Sequence, residues 1–399
     1  MDSNEYAAPY ARYEALLAAG VVSELHPAAA GNLASLQAFH HRTRDWLFGH
    51  LGYDLKNELF PLTSRHPDGI GFPDLYFFQP EVVLLVLPGR VRVGGWNYGE
   101  GEARKVYEAC LRTPVTVSSL PPLRAALQSP FGHADYTSTV KTLQAHIHRG
   151  DCYEINFCRE NFLPDTPLDP YALFQRLNAL SPAPFAAFYR LRNRYLACAS
   201  PERFVQQTGR RVISQPIKGT IRRGANDAEE AALKALLRHS AKERAENIMV
   251  VDLVRNDLTR PAARGSVTVA ELCGIYTFAQ VHHMISTVQA TLAAGQDFTA
   301  VMRHAFPMGS MTGAPKLRVM QLIEQYERSK RGLFSGTLGY VTPEGDTDFN
   351  VVIRSMLYNA AAPYLSFTTG SAITFQSDPG QEWEECLLKA SAMRKVLEG

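Results

Sequence analysis

Runs of apolar residues divide the chain into strands and helices that follow one another without a regular order. Continuous apolar or β-branched runs of four to eight residues are typical of strands, and apolar positions repeating every three or four residues are typical of helices. The first pattern predicts strands over 74–78, 82–87, 90–93, 152–157, 186–190, 195–199, 210–213, 267–272, 285–290, 333–341, 348–358 and 364–369. The second predicts helices over 9–20, 30–50, 136–149, 171–180, 226–258, 298–305, 314–328 and 380–397.

Local signals place some boundaries of these elements. Asn32 precedes the first apolar position of its helix, and Asn226 or Asp227 precedes the long one, so each is a candidate N-cap. The proline-rich stretch 113–122 reads as a connector between an N-terminal part, 1–122, and a larger part, 123–399. Long strands with helices interspersed unevenly predict an α+β sandwich. We expect the first part to complete the same sandwich, so that the whole chain forms one compact structural domain.

Composition excludes several classes of function. The 399 residues are 46% hydrophobic and 20% charged, with a net charge of +2, so there is no electrostatic case for binding nucleic acid or a membrane surface. The longest apolar run, 82–87, is too short to span a bilayer. The acidic N-terminus has no apolar signal core, and the six cysteines form no CxxC pair. We therefore expect a cytoplasmic protein with reduced thiols.

A lysine follows the strand at 210–213 in an unusual setting. Lys218 lies between Ile217 and Gly219, and the glycine leaves the backbone open to close approach by a ligand. Partial burial would lower the pKa of this lysine and favour the free amine, which acts as a base or a nucleophile. The alternative is a lysine at a strand end whose aliphatic stem covers apolar surface while its charge stays in water.

Two acidic pairs stand at helical i,i+3 spacing, which puts both carboxylates of a pair on one helix face. They are Glu243 with Glu246, and Glu382 with Glu385. Two such faces opposite each other supply oxygen ligands for a hard cation. The alternative is a solvated helix face, since Lys242 and Arg244 flank the first pair.

Several longer motifs, in a fixed order, carry a resemblance to a known family. The run 309–316 does not fit a nucleotide-binding P-loop, because Ala314-Pro315 separates its second glycine from the lysine. Together with four other segments it resembles the chorismate-binding enzymes, a family that includes anthranilate, aminodeoxychorismate, isochorismate and salicylate synthases. The resemblance covers 130–397 and rests on segments 199–204, 216–220, 246–257, 309–316 and 382–385.

The resemblance implies a large two-sheet β-sandwich with helices packed outside, and a transaminase-type activity on chorismate. The lysine at position 218 resembles the one that component I of aminodeoxychorismate synthase carries in this segment. Anthranilate and salicylate synthases usually carry alanine at the same position. The implied reaction is amination at C4 to 4-amino-4-deoxychorismate, in para-aminobenzoate and folate biosynthesis. Lys218 would be the nucleophile, and Glu202 the general acid that protonates the leaving hydroxyl.

The same resemblance implies the remaining site residues. Magnesium would be bound directly by Glu246 and Glu385, and through water by Glu243 and Glu382. Substrate contacts would come from two cationic residues, a backbone donor and two groups near the ring hydroxyl: Arg354, Lys389, Gly370, Thr220 and His283. Arg354 and Lys389 each have a local reason to be considered. Arg354 is a guanidinium inside an apolar run, and Lys389 shares a helix face with both Glu382 and Glu385. For His283, the alternative is a purely structural role.

The chain departs from the family pattern at two positions, and the first of them bears on which reaction is catalysed. Relatives that add water at C2 carry a lysine base where this chain has Glu154, which argues against isochorismate or salicylate formation. Ala372 replaces the second glycine after the carboxylate-binding strand.

The chain has no G-x-C-x-G elbow, so ammonia is expected from a separate glutamine amidotransferase subunit or from solution. The alternatives are anthranilate synthase component I, which aminates C2, and a non-catalytic subunit that docks a partner.

Overall fold

Strands paired over long sequence distances form most of the protein. The computed structural model describes residues 1–6, 10–114, 120 and 126–398. Within them the strands are β1 Ala15–Ala19, β2 Ser23–Leu25, β3 Leu47–Leu51, β4 Leu75–Gln79, β5 Val82–Leu87, β6 Arg90–Gly95, β7 Glu154–Pro164, β8 Phe185–Leu191, β9 Arg194–Ser200, β10 Arg203–Thr208, β11 Arg211–Gln215, β12 Ile217–Arg222, β13 Thr268–Thr277, β14 Val281–Thr291, β15 Gly313–Ala314, β16 Thr337–Val341, β17 Thr347–Asn350, β18 Ser355–Asn359 and β19 Tyr364–Thr374.

Helices lie in the connections between these strands, and the last helix follows the last strand. They are α1 Asn32–Thr43, α2 Lys56–Leu59, α3 Glu100–Arg112, α4 His133–His148, α5 Pro170–Leu180, α6 Asp227–His239, α7 Ala241–Thr259, α8 Phe298–Ala305, α9 Lys316–Tyr326 and α10 Pro379–Glu398. Single 3₁₀ turns lie at Tyr53–Leu55 and Gly309–Met311. No helix in the described ranges is long and apolar enough to cross a membrane.

Two large sheets enclose the main core. One has the strand order β12-β14-β11-β10-β17-β16-β3-β4-β2, with β13 paired to β14, and the other has the order β15-β7-β19-β18-β9-β8. Residues of both sheets, including Phe77, Leu196, Phe349 and Leu357, share one buried apolar cluster. Because side chains alternate along a strand, Ala197 points the other way, into a second cluster formed with α5 and α10. The predicted α+β sandwich with outer helices is confirmed.

The N-terminal strands belong to the same large sheet as the C-terminal ones. β3 lies between β16 and β4, with Leu51 opposite Thr337. A smaller sheet, β1-β5-β6, stands beside it. The sheet therefore crosses the division predicted at residue 122. Of the proline-rich connector, residues 115–119 and 121–122 lie outside the described residues.

Several predicted elements were wrong in type or extent. In the described part of 9–20 the chain forms strand β1 rather than a helix, because its alanine- and leucine-rich sequence pairs with β5. The helix predicted over 30–50 ends at Thr43 and strand β3 follows; Asn32 is its first residue, after the N-cap Gly31. The helix predicted over 226–258 is two helices, since Ser240 caps a new one by accepting from the Glu243 amide. Asn226 caps the first, as predicted.

The strands predicted over 333–341 and 348–358 are also shorter than expected. The first begins only at Thr337. The second is split into β17 and β18 by residues 351–354, and Arg354 lies in this break with a positive φ of 52°. Arg354 is therefore not inside a strand, as the apolar run suggested. The break turns the chain from one large sheet to the other.

Candidate active site

The backbone around Lys218 is fixed from two sides. β12 pairs with β14, bringing Thr220 opposite His283, and the register shifts between Ile217 and Thr220. Asn247 of α7 donates from Nδ2 to the carbonyl oxygens of Lys218 and Met284, each at 3.2 Å. At Gly219, φ is +96°, and an added Cβ would lie 3.1 Å from the Glu243 Oε2 atom. The glycine is therefore required both for its backbone conformation and for the close approach of α7.

The Lys218 amine is held by a buried carboxylate. Its Nζ donates to Glu154 Oε1 at 2.7 Å, and the two side chains are 11% and 1% exposed. Burial acts to lower the pKa of Lys218, but the negative charges of Glu154 and Glu246 outweigh it and raise that pKa. The expectation that burial lowers the pKa of this lysine was therefore wrong, because the sequence did not reveal its partner.

Glu202 lies in the short connection between β9 and β10, within electrostatic range of the same lysine. Its side chain is buried, and Oε1 accepts a hydrogen bond from the Ser310 hydroxyl at 2.7 Å. Burial raises the pKa of Glu202 to about 7, although Ser310 and the Lys218 charge partly offset it. The side chain is thus buried, as expected at this position, and with this pKa the carboxyl is partly protonated at neutral pH.

The two acidic pairs are on helices α7 and α10, next to Lys218. Burial raises the pKa of Glu246 to about 7, assisted by Glu154 and Glu243 and opposed by Lys218. The pKa of Glu243 is raised by burial and by Glu385 across the gap between the helices. The pKa of Glu382 is raised mainly by burial, with a contribution from Glu385. The four carboxylates therefore act on one another electrostatically rather than forming separate solvated faces.

Cationic side chains stand on the α10 side of the site. Lys389 donates from Nζ to the carbonyl oxygen of Gly370 at 2.9 Å and pairs with Glu385 at 2.6 Å. Burial disfavours ionised Glu385, but the Lys389 charge and hydrogen bond outweigh it and the pKa is lowered. The half-buried Arg354 donates from Nη1 to the carbonyl oxygen of Lys389 at 3.1 Å. Its remaining donors can form the planar, two-point contact that suits a carboxylate.

A glycine and a histidine complete the predicted set. A Cβ on Gly370 would lie 2.4 Å from Cys158 Sγ, so the tight packing of β19 on β7 requires a glycine here. His283 is buried, and its Nδ1 is 2.8 Å from the hydroxyl of the exposed Thr220. Burial, reinforced by Arg354, lowers the pKa of His283 to about 3, so the imidazole is neutral. The structure thus brings all eleven predicted site residues together.

Three residues of this site were not found as such from the sequence. Glu154 was noted only as a departure from the family pattern, and Ser310 only as part of the run 309–316. Asn247 was not singled out. Each contacts Lys218 or Glu202. A charged residue inside the predicted strand 152–157 is the signal that could have marked Glu154. Its pairing with a lysine 64 positions away has no local signature.

The carboxylates suit a hard cation by their chemistry. Among the residues described, no three His, Cys, Asp or Glu side chains are already close enough to form a metal-binding group. Glu382 Oε2, however, is buried and has no hydrogen-bond partner in the described structure. Buried carboxylate oxygens without partners that repel one another gain from a divalent cation, and all-oxygen sets favour magnesium or calcium. The donor set therefore fits such an ion.

Comparisons with known proteins agree with this arrangement. The family model described as chorismate binding enzyme matches residues 7–395. The chain is 35% identical over 350 residues to aminodeoxychorismate synthase component 1 of Klebsiella aerogenes, covering 88% of this chain and 76% of that protein. It is 34% identical over 363 residues to anthranilate synthase component 1 of Thermus thermophilus, with 88% and 77% covered. The crystal structure of anthranilate synthase component I from Streptococcus pneumoniae superimposes with a TM-score of 0.83 at 24% identity, over 96% of this chain and 92% of that one.

Proposed function

Since the chain belongs to the chorismate-binding enzyme family, we propose that it aminates chorismate at C4 to form 4-amino-4-deoxychorismate. The observation that carries the proposal is Lys218, an amine held at the centre of the site beside Glu202, a carboxyl that keeps its proton near neutral pH. An amine and an acid are the two groups that a covalent displacement of a hydroxyl requires. Overall identity does not discriminate, because the two synthases match at 35% and 34%.

The first step forms a covalent intermediate on Lys218. Its neutral Nζ bonds to C2 of chorismate, the two ring double bonds shift, and the C4–O bond breaks. Glu202 gives its proton to the departing oxygen, which leaves as water. The product is a secondary ammonium that joins Lys218 to C2, while Glu202 is left ionised. Splitting the substitution in this way replaces one difficult step by two easier ones.

The second step releases the product and restores the lysine. Ammonia bonds to C4, the double bonds shift back, and the C2–N bond breaks with its electrons returning to Lys218 Nζ. The new C4 ammonium then gives one proton to Glu202, which recovers its starting state. We propose that a separate glutamine amidotransferase subunit supplies the ammonia, in line with the name "component 1" that the relatives carry.

Substrate orientation is assigned to the basic and hydroxyl groups around Lys218. We propose that Arg354 and Lys389 bind the two carboxylates of chorismate, the enolpyruvyl and the ring carboxylate respectively. Lys389 is already placed by the Gly370 carbonyl oxygen. The backbone amide of Gly370 is the further donor that we assign to a carboxylate. Thr220, with His283 behind it, contacts the ring hydroxyl region.

Magnesium is the cofactor that the four glutamates would hold. Glu246 and Glu385 would be its direct ligands, and Glu243 and Glu382 would act through water. The bound ion would neutralise charge between the dianionic substrate and the protein carboxylates. The local effect on this chain is to keep Glu246, whose pKa is about 7 without it, in the ionised form.

Arg354→Lys is expected to raise the KM for chorismate by about 10- to 100-fold with a smaller change in kcat. Lysine keeps the positive charge but loses the two-point contact with a carboxylate. Steady-state kinetics against chorismate measures the effect, with the exposed Arg264→Lys as the matched control. An unchanged KM in Arg354→Lys would show that this guanidinium does not bind the substrate.

Removing divalent cations is expected to abolish the activity, and added Mg²⁺ should restore it. The glutamates then repel the substrate without compensation. Calorimetry should also show that chorismate binds tightly only when Mg²⁺ is present. Mg²⁺ should likewise bind tightly only when chorismate is present, because coupling between two ligands is reciprocal. Full activity in the presence of a strong chelator would contradict the metal assignment. Absence of coupled binding would favour the alternative of a docking subunit.

The decisive experiment identifies the product. The purified chain is incubated with chorismate, Mg²⁺ and ammonium, and the product is identified by mass spectrometry and NMR. We expect an amino group at C4. Anthranilate synthase component I remains the second candidate, because the Thermus thermophilus protein matches almost as well. An amino group at C2 would establish that alternative and contradict our proposal.

A further inference from the structure

The reaction needs Lys218 as a neutral amine, whereas in the structure its Nζ is ion-paired with Glu154. The lysine must therefore transfer one proton before it attacks. Its Nζ already donates to Glu154 Oε1 at 2.7 Å, and Glu154 is the one carboxylate within ion-pairing distance of Nζ among the residues described. A proton can move along this hydrogen bond without any rearrangement of either chain segment.

In the described part of the chain, the carboxylate of Glu154 is buried with only one of its two oxygens paired. The side chain is 1% exposed, and within the described structure its second oxygen, Oε2, is buried and has no hydrogen-bond partner. An ionised carboxylate that is buried with one oxygen unpaired is costly. Transfer from the lysine turns two buried charges into two neutral groups, so the net charge of the pair is unchanged and no proton leaves the site.

The other charged groups facing the lysine are less suited to this task. Glu246 approaches from α7, Glu385 from α10 and Glu202 from the β9–β10 connection, and all three act on Lys218 through charge at longer range. Glu385 is engaged by Lys389, and Glu202 must keep its own proton for the leaving group. Glu246, on the acidic face shared with Glu243, is assigned to the magnesium ion and is therefore not free to take the proton. Glu154 itself faces Lys218 and Glu246.

We propose that Glu154 is the proton acceptor that converts the Lys218 ammonium into the nucleophilic amine. This inference rests on the proposed function. Before attack, the proton moves from Nζ to Glu154 Oε1, which leaves a neutral amine and a neutral carboxyl. After ammonia expels the lysine from C2, the amine takes the same proton back from Glu154. The ion pair seen in the structure is thus the resting state of each turnover.

The test follows formation of the lysine adduct in single turnovers without ammonia, by intact-protein mass spectrometry at several pH values. In the native protein the rate should not depend on the ionisation of Lys218, because the proton stays inside the pair. In Glu154→Gln the lysine must release its proton to solvent. Adduct formation should then be about 100-fold slower than in the native protein near pH 7. Because both proteins lose the Glu202 proton alike, the ratio of the variant rate to the native rate should rise about tenfold per pH unit until the lysine's own pKa is reached.

Two further variants separate a chemical role from a structural one. Glu154→Asp keeps a carboxylate and should retain the native pH profile at a lower rate. Glu160→Gln changes a half-buried glutamate of β7, which accepts hydrogen bonds from Tyr364 and Ser366, and should match the native protein. Melting temperatures monitor folding in each case.

The outcomes distinguish this inference from the proposed function. A native adduct together with an unchanged rate and profile in Glu154→Gln would overturn the assignment of Glu154 alone. Slowing of Glu154→Gln by the same factor at every pH would overturn that assignment as well. If the native protein forms no adduct at any pH, the covalent route in the proposed function fails, and the role of Glu154 fails with it.

Discussion

Lys218→Ala is expected to lower the rate of chorismate amination at C4 by about 1,000-fold or more, because the atom that bonds to C2 is removed. Steady-state kinetics with chorismate, Mg²⁺ and ammonium measures the loss. When ammonia is withheld, the native protein should gain the mass of chorismate less one water, located on the peptide that contains Lys218. The alanine variant should gain no mass.

The controls for Lys218 must allow for its ion pair. Removing one partner of a buried pair costs about 3–5 kcal/mol of stability, so the alanine variant is expected to melt at a lower temperature. Lys218→Arg keeps a cation beside Glu154 but provides no nucleophilic amine. It should be as inactive as the alanine variant while melting closer to the native protein. Lys234→Ala, on helix α6, is the matched control and should retain native activity. Native rates of C4 amination in either Lys218 variant would exclude covalent catalysis by this residue.

Glu202→Gln is expected to lower kcat by about 100- to 10,000-fold, since the hydroxyl would have to leave without a proton. The glutamine has nearly the same volume and can still accept from Ser310, so the melting temperature should change little. The KM for chorismate should also stay close to the native value, because Glu202 is assigned no binding role. A comparable kcat in this variant would remove Glu202 from the mechanism.

The pH dependence provides a second test of Glu202. Its pKa is raised to about 7, mainly by burial, so the acid form is present below pH 7 and is lost as the pH rises through that value. The native kcat should therefore fall on the alkaline side of pH 7. The folded state also binds this proton more tightly than the unfolded chain, so Glu202 makes the free energy of unfolding decrease between about pH 4.5 and 7. Both effects should be absent in Glu202→Gln.

The sequence was most informative where chemistry follows a local pattern. The i,i+3 spacing placed Glu243 with Glu246 and Glu382 with Glu385 on helices, and the structure has them there. The helices α8 and α10 were found within one residue of their observed bounds. The break at Ser240 had a signal that was missed, since a serine followed three residues later by a glutamate is typical of a helix start.

Other features depend on contacts that no local pattern reveals. The segment that forms β1 is rich in alanine and leucine, which suit a helix equally well, and its pairing with β5 decides the outcome. The break at Arg354 lies in an apolar run that reads as one buried strand. The largest error concerned the charge of Lys218, because burial alone lowers the pKa of a lysine and only the fold supplies Glu154.

The position of β3 has a consequence for how the protein is made. One edge of this strand pairs with β4, and the other pairs with β16, where Leu47 lies opposite Val341. On the ribosome, the early strand is complete long before its later partner has been translated. Its exposed edge must wait through most of elongation, and pairings of such sequence separation form slowly. During that interval the nascent chain presents an open β-edge, which is the kind of surface that molecular chaperones protect from aggregation.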